Sequence, residues 1–139
     1  MKGGWLGGGD LRYKVSMGKG GETMGKVYLA NAFSLSMLSE NEKEYVVHIK
    51  EISKEEVKEI IKNGFFSAIG HESTSLLLSE ILETKVELNR SAIQLKAGDI
   101  LIVFQLLKRL PEGKILTKEE ISQIPFKFYI LKLIENRKQ

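Results

Sequence analysis

Two residue types in this sequence, histidine and arginine, stand at positions where they could act on a phosphate group. His71 precedes a Glu-Ser-Thr run at the predicted start of a helix. A helix N-terminus presents unpaired N–H groups and a partial positive charge, which bind phosphate. Arg109 and Glu112 flank Pro111 in a predicted loop. From local sequence alone, a capping histidine without a ligand and an exposed ion pair between Arg109 and Glu112 remain open as alternatives.

These groups suit a cleavage of RNA in which the substrate supplies its own nucleophile, the 2′-hydroxyl. In-line attack on the adjacent phosphate requires a proton for the leaving 5′-oxygen, stabilisation of the extra charge on phosphorus, and orientation of the hydroxyl. Imidazole exchanges protons near neutral pH and suits the first task, a guanidinium fork suits the second, and a carboxylate can assist the third. Two separated histidines, His48 and His71, with no Cys, do not predict a metal site. His48 is interpreted as an ordinary strand residue.

The amino-acid composition limits the classes of partner that this protein is expected to bind. The 139 residues carry a formal net charge of +3, but part of the excess lies in the Gly-rich start and the remainder is close to neutral. This balance argues against non-specific binding to duplex nucleic acid. No apolar run approaches the roughly 20 residues that a membrane span needs, and the absence of Cys fits a reducing compartment. We therefore expect a soluble cytoplasmic protein with no membrane partner.

Residues 1–23 differ from the rest, because they hold 8 of the 13 glycines. Glycine loses much entropy on ordering, so this segment is predicted to be a flexible N-terminal extension to a domain at residues 24–139. Met24 is a hypothetical functional start. The sequence GGETMGK at residues 20–26 superficially fits a phosphate-binding loop, but Val27 follows where Ser or Thr and then a helix are needed. We do not expect a nucleoside triphosphate site here.

The elements that must position these residues form an α/β domain. Capping boxes at Ser53 and Thr117 predict the starts of two helices, and a third helix is predicted over residues 71–84. Residues 65–70 are interpreted as a connector. Runs of β-branched, aromatic and apolar residues predict strands at residues 26–33, 44–52, 86–88, 92–95, 99–107 and 126–135. The segment 99–107 is so continuously apolar that it should be central. We expect a small single domain with a mixed β-sheet of about five strands flanked by helices.

With these elements placed, the chain resembles the viral ring nucleases, which are anti-CRISPR proteins of archaeal viruses and phages. The motifs that carry the resemblance occur in order: KVYLANAFS, AIGHEST, NR, FQ and KRLPEGK. His71 is followed by Arg90 after 19 residues and by Arg109 after 19 more. The resemblance covers nearly all of residues 26–135, and it would make residues 24–139 a ring nuclease domain. It implies a homodimer that needs no cofactor or metal.

The resemblance also implies a substrate and a role for individual residues. The dimer would bind cyclic tetra-adenylate across its two-fold axis and cut it into linear di-adenylates with 2′,3′-cyclic phosphate ends, which suppresses type III CRISPR immunity. His71 would be the general acid, Arg109 would stabilise the transition-state charge, and Glu112 would orient catalytic groups or act as a weak base. The ligand contacts it implies are Asn31, Ser34, Arg90 and Gln105. Position at the helix start adds Ser73 and Thr74.

Three other hypotheses are compatible with these residues. The protein could sequester a cyclic oligonucleotide without cleaving it, or act as a regulator that binds nucleic acid. It could also be a structural dimer adaptor in which His71 and Arg109 only make local pairs. A regulator should have a basic face and a steep salt dependence, and the near-neutral charge of the residues after the Gly-rich start argues against it.

Overall fold

The computed structural model describes residues 14–16, 22–109 and 116–134, in which four strands come first and helices then alternate with three further strands. The strands are β1 (Lys14–Ser16), β2 (Glu22–Met24), β3 (Val27–Ala30), β4 (Val46–Ile52), β5 (Phe66–Ser67), β6 (Ile100–Leu106) and β7 (Phe126–Ile134). The helices are α1 (Lys54–Ile61), α2 (Glu72–Leu82) and α3 (Lys118–Ser122). A short 3₁₀ turn spans Leu35–Met37.

The main sheet is mixed and has the strand order β4-β7-β6-β3-β5. β3 pairs in parallel with β5 and β6, whereas β7 is antiparallel to both β4 and β6. β6 is the middle strand, and residues 100–104 within it are all buried and apolar. The predictions of a mixed sheet of about five strands and of a central strand near residues 99–107 are confirmed.

The sheet separates two apolar clusters, because alternate residues of a strand point to opposite faces. The helix face is covered by α1 and α2, whose buried residues include the predicted stripe of Leu77, Leu78, Ile81 and Leu82. The opposite face, called the loop face here, is covered by residues 31–45 and 91–96. Its buried residues include Ala30, Ile93, Leu95, Leu101, Val103, Leu131 and Leu133.

Both predicted capping boxes are present. The Ser53 hydroxyl accepts a hydrogen bond from the backbone N–H of Glu56 at 3.1 Å, and the Glu56 carboxylate accepts one from the N–H of Ser53 at 2.9 Å. Thr117 and Glu120 repeat the arrangement at 3.1 and 2.9 Å. These bonds satisfy N–H groups that a helix start leaves unpaired. The starts of α1 and α3 therefore follow from a few neighbouring residues.

The predicted strand at residues 86–88 is wrong. Leu88 forms only an isolated bridge with Ile69. Hydrogen bonds from side chains hold this segment in place of the backbone hydrogen bonds of a strand. The buried Ser67 hydroxyl donates to the carbonyl of Glu87 at 2.6 Å, and the amide nitrogen of the Asn89 side chain donates to the carbonyl of Ser67 at 2.8 Å. These bonds tie the segment to β5 without extending the sheet.

The predicted strand at residues 92–95 is wrong as well. This segment lies over the loop face, where Ile93 and Leu95 are buried. Its backbone is held by a hydrogen bond from the N–H of Leu95 to the carbonyl of Met37 at 2.8 Å. The alternation of apolar and polar residues here reflects burial of one side of the segment and not pairing within a sheet.

Three short strands among the described residues were not predicted. β5 lies inside the predicted connector at residues 65–70 and pairs with β3 through Tyr28 and Phe66. With two residues, β5 is too short to show a periodic pattern. β1 and β2 form a separate antiparallel pair, which lies largely within the segment predicted to be a flexible extension. After Lys26 the chain enters β3 and not the helix that a phosphate-binding loop requires.

Asp99 is a buried carboxylate before β6 that accepts hydrogen bonds from the backbone N–H groups of Lys26 and Lys96, each at 3.0 Å. We expect Asp99→Ala to lower the free energy of unfolding by about 1–3 kcal/mol, because both donors lose a charged acceptor. Urea denaturation measures the change. As a control, Glu59→Ala removes an exposed ion pair with Lys62 and should cost less than about 1 kcal/mol. Equal losses in the two variants would contradict this role of Asp99.

Candidate functional site

The carboxyl ends of the parallel strands β3, β5 and β6 meet at one edge of the sheet. Asn31 directly follows β3, His71 follows β5 after residues 68–70, and residues 107–109 continue from β6. α2 also begins at this edge, because it follows β5. Open α/β sheets bind ligands in crevices beyond the carboxyl ends of their strands, so this edge is the first place to look for a site.

One cavity at this edge brings together several of the predicted site residues. The His71 cavity has a volume of about 470 Å³ and is lined by His71, Ser73, Thr74, Leu106, Leu107, Lys108 and Arg109. It combines the start of a helix, a histidine and two residues with cationic side chains, and no Asp or Glu of the described residues lines it. Such an arrangement can bind an anion and deliver a proton to it.

His71 occupies the N-cap position of α2 with an extended backbone (φ −123°, ψ 132°). Its carbonyl accepts the first hydrogen bond of the helix, from the N–H of Ser75 at 3.0 Å. The imidazole makes no capping hydrogen bond and is exposed. Ser, Thr, Asn and Asp are the side chains that stabilise a helix start, so α2 gains no cap from this histidine and the ring is accessible to a ligand.

Arg90 and Asn89 hold the segment that leads into His71. The Arg90 Nε donates to the carbonyl of Gly70 at 2.8 Å, and the backbone N–H of Asn89 donates to the carbonyl of Ile69 at 2.8 Å. Packing is close at Gly70, since a Cβ there would lie 3.2 Å from the Arg90 Cγ. Arg90, which the resemblance implies to be a ligand contact, thus also positions the residue before His71.

Asn31 and Gln105 lie apart from the His71 cavity. They line a second cavity of about 380 Å³, the loop-face cavity, whose walls are Asn31, Ala32, Phe33, Ile49, Val103, Gln105, Tyr129 and Leu131. Alternation along β6 explains the separation, because Leu106 points to the helix face and lines the His71 cavity while Gln105 points to the loop face. The structure therefore places Asn31 and Gln105 in a different cavity from the predicted residues around His71.

Ser34 and Glu112 complete the set of predicted site residues. The Ser34 hydroxyl caps the 3₁₀ turn by accepting a hydrogen bond from the N–H of Ser36 at 3.2 Å, and it lies 2.9 Å from the Ser36 hydroxyl. Ser34 lines neither of the two cavities. Glu112 lies outside the described residues, so its predicted role remains a prediction.

Lys108 is the polar residue of the His71 cavity that sequence reasoning missed. It stands directly before Arg109, inside the quoted motif KRLPEGK, and it lines the same cavity. A pair of adjacent cations at the end of a strand was the available signal. The pattern alone did not show which of the two side chains would reach the site.

The described part of the chain contains neither a metal-ligand cluster nor a membrane span. No group of three or more His, Cys, Asp or Glu side chains among the described residues is arranged to hold a metal ion. No described helix is long and apolar enough to cross a membrane.

Comparison with known proteins finds relatives in archaeal viruses. The family model described as STIV B116-like matches residues 27–128. A protein of Sulfolobus islandicus filamentous virus, described as uncharacterized, is 38% identical over 110 residues, which cover 78% of this chain and 92% of that protein. An uncharacterized protein of Acidianus two-tailed virus is 34% identical over 113 residues, which cover 78% of this chain and 94% of that protein.

A solved structure of another viral protein has a fold similar to that of this chain. B116 of Sulfolobus turreted icosahedral virus is similar in fold, with a TM-score of 0.67 and 30% sequence identity. The similarity covers 78% of this chain and 99% of that chain. By sequence and by fold, the chain therefore belongs to the STIV B116-like family.

Proposed function

We propose that this protein is a ring nuclease that cleaves cyclic tetra-adenylate without a metal ion and so suppresses type III CRISPR immunity. The observation that carries the proposal is the His71 cavity, in which His71, the first residues of α2 and Arg109 line one space. The resemblance to viral ring nucleases provides the substrate. Relatives in archaeal viruses support a role against host defence, which would be performed in the host cytoplasm.

In the proposed reaction, the 2′-hydroxyl of one adenylate attacks its own 3′-phosphate. A bond forms between the 2′-oxygen and phosphorus as the bond from phosphorus to the 5′-oxygen of the next adenylate breaks. The His71 imidazolium donates a proton to the leaving 5′-oxygen, and the hydroxyl proton passes to Glu112 or to water. Arg109 and the N–H groups at the start of α2 stabilise the charge on the phosphate oxygens. Two such cuts yield linear di-adenylates with 2′,3′-cyclic phosphate and 5′-hydroxyl ends.

The proposal includes a homodimer, and the loop face supports it. Ile49 lines the loop-face cavity and is 57% exposed, although Leu131, with which it pairs on β7, is buried in the sheet. A second copy packed on this face would remove that apolar side chain from water. Two-fold symmetry would also offer a ring of repeated units two equivalent active sites. In such a dimer, Asn31 and Gln105 would contact the ligand from the loop face.

Incubation of the purified protein with cyclic tetra-adenylate in EDTA tests the proposed function. We expect the ring to disappear and linear di-adenylate to accumulate, with slower cleavage of rings of other sizes. Thermal stabilisation by the ring measures binding in parallel. A ring that stabilises the protein but is recovered intact would contradict the enzyme and would favour a sequestering module. A ring that neither binds nor is cleaved would favour a structural adaptor.

A further inference from the structure

Lys108 is a second cation in the His71 cavity, and the proposed reaction does not use it. Leu107 and Lys108 form a bend directly after β6. In a continuing strand, consecutive side chains point to opposite faces, but here both Lys108 and Arg109 line the same cavity. Both residues are exposed. A ligand in the cavity therefore lies beside two exposed residues with cationic side chains.

Two residues with cationic side chains line this cavity, and the proposed reaction uses only one of them, Arg109. Lys108 and Arg109 both line it, whereas no described carboxylate does. One scissile phosphodiester carries a single negative charge, and the planar fork of a guanidinium matches its oxygens. The ammonium of a lysine is a point charge on a flexible stem, and it does not require a fixed bidentate geometry. Lys108 is therefore suited to a second phosphate close to the first.

We infer that Lys108 binds the phosphate next to the scissile one and so favours substrates with successive phosphodiesters. The inference rests on the proposed function for the identity of the scissile phosphate. In a cyclic oligonucleotide, every linkage has a neighbouring phosphate on both sides. A dinucleotide with one phosphodiester has none. Lys108 is thus a specificity-determining residue that strengthens binding of the ring and takes no part in proton transfer.

Calorimetric titration with cyclic tetra-deoxyadenylate tests this role without turnover, because that ring lacks the 2′-hydroxyl. We expect Lys108→Gln to raise the Kd about 10-fold, the scale of one charged hydrogen bond. The slope of log Kd against log salt concentration should become shallower by about 0.7, as for one lost phosphate contact. Lys108→Arg should restore the slope. The control Lys96→Gln, at the opposite end of β6 from Lys108, should change neither quantity.

A second titration uses the dinucleotide with one phosphodiester, and we expect Lys108→Gln to leave its Kd unchanged. The inference is overturned if Lys108→Gln binds the ring as wild type does, or if it weakens ring and dinucleotide equally. The second result would indicate a partner inside the protein, such as Glu112. The proposed function is judged separately by cleavage. If the ring binds through Lys108 but stays intact, the proposed nuclease activity is rejected and the Lys108 contact stands. If the ring is cleaved but Lys108→Gln binds it as wild type does, the nuclease activity stands and the Lys108 contact is rejected.

Discussion

His71→Ala is expected to lower kcat for cleavage of cyclic tetra-adenylate by roughly 10²–10⁴-fold, the usual contribution of a general acid. The leaving 5′-oxygen would then depart without a proton from the protein. The imidazole makes no capping hydrogen bond in α2 and is exposed, so we expect the variant to fold with nearly unchanged stability. Single-turnover kinetics with excess enzyme measure the chemical step directly.

His48 provides a matched control for this experiment. It lies in β4, is exposed, and pairs across the sheet with Lys132, away from the carboxyl ends of the parallel strands. His48→Ala should retain kcat to within about two-fold, since a surface substitution away from the site has a small effect. A His71→Ala enzyme that cleaves within ten-fold of wild type would remove His71 from the mechanism, and an equal loss in both variants would show that histidine replacement acts through folding.

Arg109→Ala is expected to lower kcat by about 10²–10³-fold, on the scale of one lost donor to a developing oxyanion. Arg109→Lys keeps the charge but not the bidentate fork, so it should recover only part of the rate. Because charge stabilisation and proton donation act on one phosphate, the double variant with His71→Ala should lose less than the product of the two single losses. Full activity in Arg109→Lys would show that a point charge suffices, and full activity in Arg109→Ala would exclude this residue.

Features that depend on neighbouring residues could be predicted from the sequence. The capping boxes at Ser53 and Thr117 are closed by residues three positions away, and both are present in the structure. β6 could be recognised because it is buried on both faces and is therefore continuously apolar. His71 was expected at a helix start for the same local reason, and it is the N-cap of α2.

Features that depend on distant partners could not be predicted in this way. Strands were predicted at residues 86–88 and 92–95, but the first segment is held by hydrogen bonds from the Ser67 and Asn89 side chains and the second is buried on the loop face. β5 has two residues and is defined by its pairing with β3, which no local pattern encodes. Sequence patterns give the side of a segment that is buried but not the element that covers it.

Strand geometry places several of the predicted site residues in two different cavities. Gln105 and Leu106 are adjacent in β6 but line different cavities, because consecutive strand residues face opposite sides of the sheet. Lys108 and Arg109 are also adjacent, yet the bend after β6 brings both to the His71 cavity. The motif KRLPEGK contains both residues, whereas the structure was needed to show that they line the same cavity.

The chemical ends of the reaction products test the central claim most directly. Wild-type protein is incubated with cyclic tetra-adenylate in EDTA, and the products are analysed by mass spectrometry. If His71 and Arg109 act on a substrate that supplies its own nucleophile, the products are linear di-adenylates with 2′,3′-cyclic phosphate and 5′-hydroxyl ends, and the 2′-deoxy ring remains intact. Cleavage of the 2′-deoxy ring, or products with 3′-hydroxyl and 5′-phosphate ends, would contradict the account.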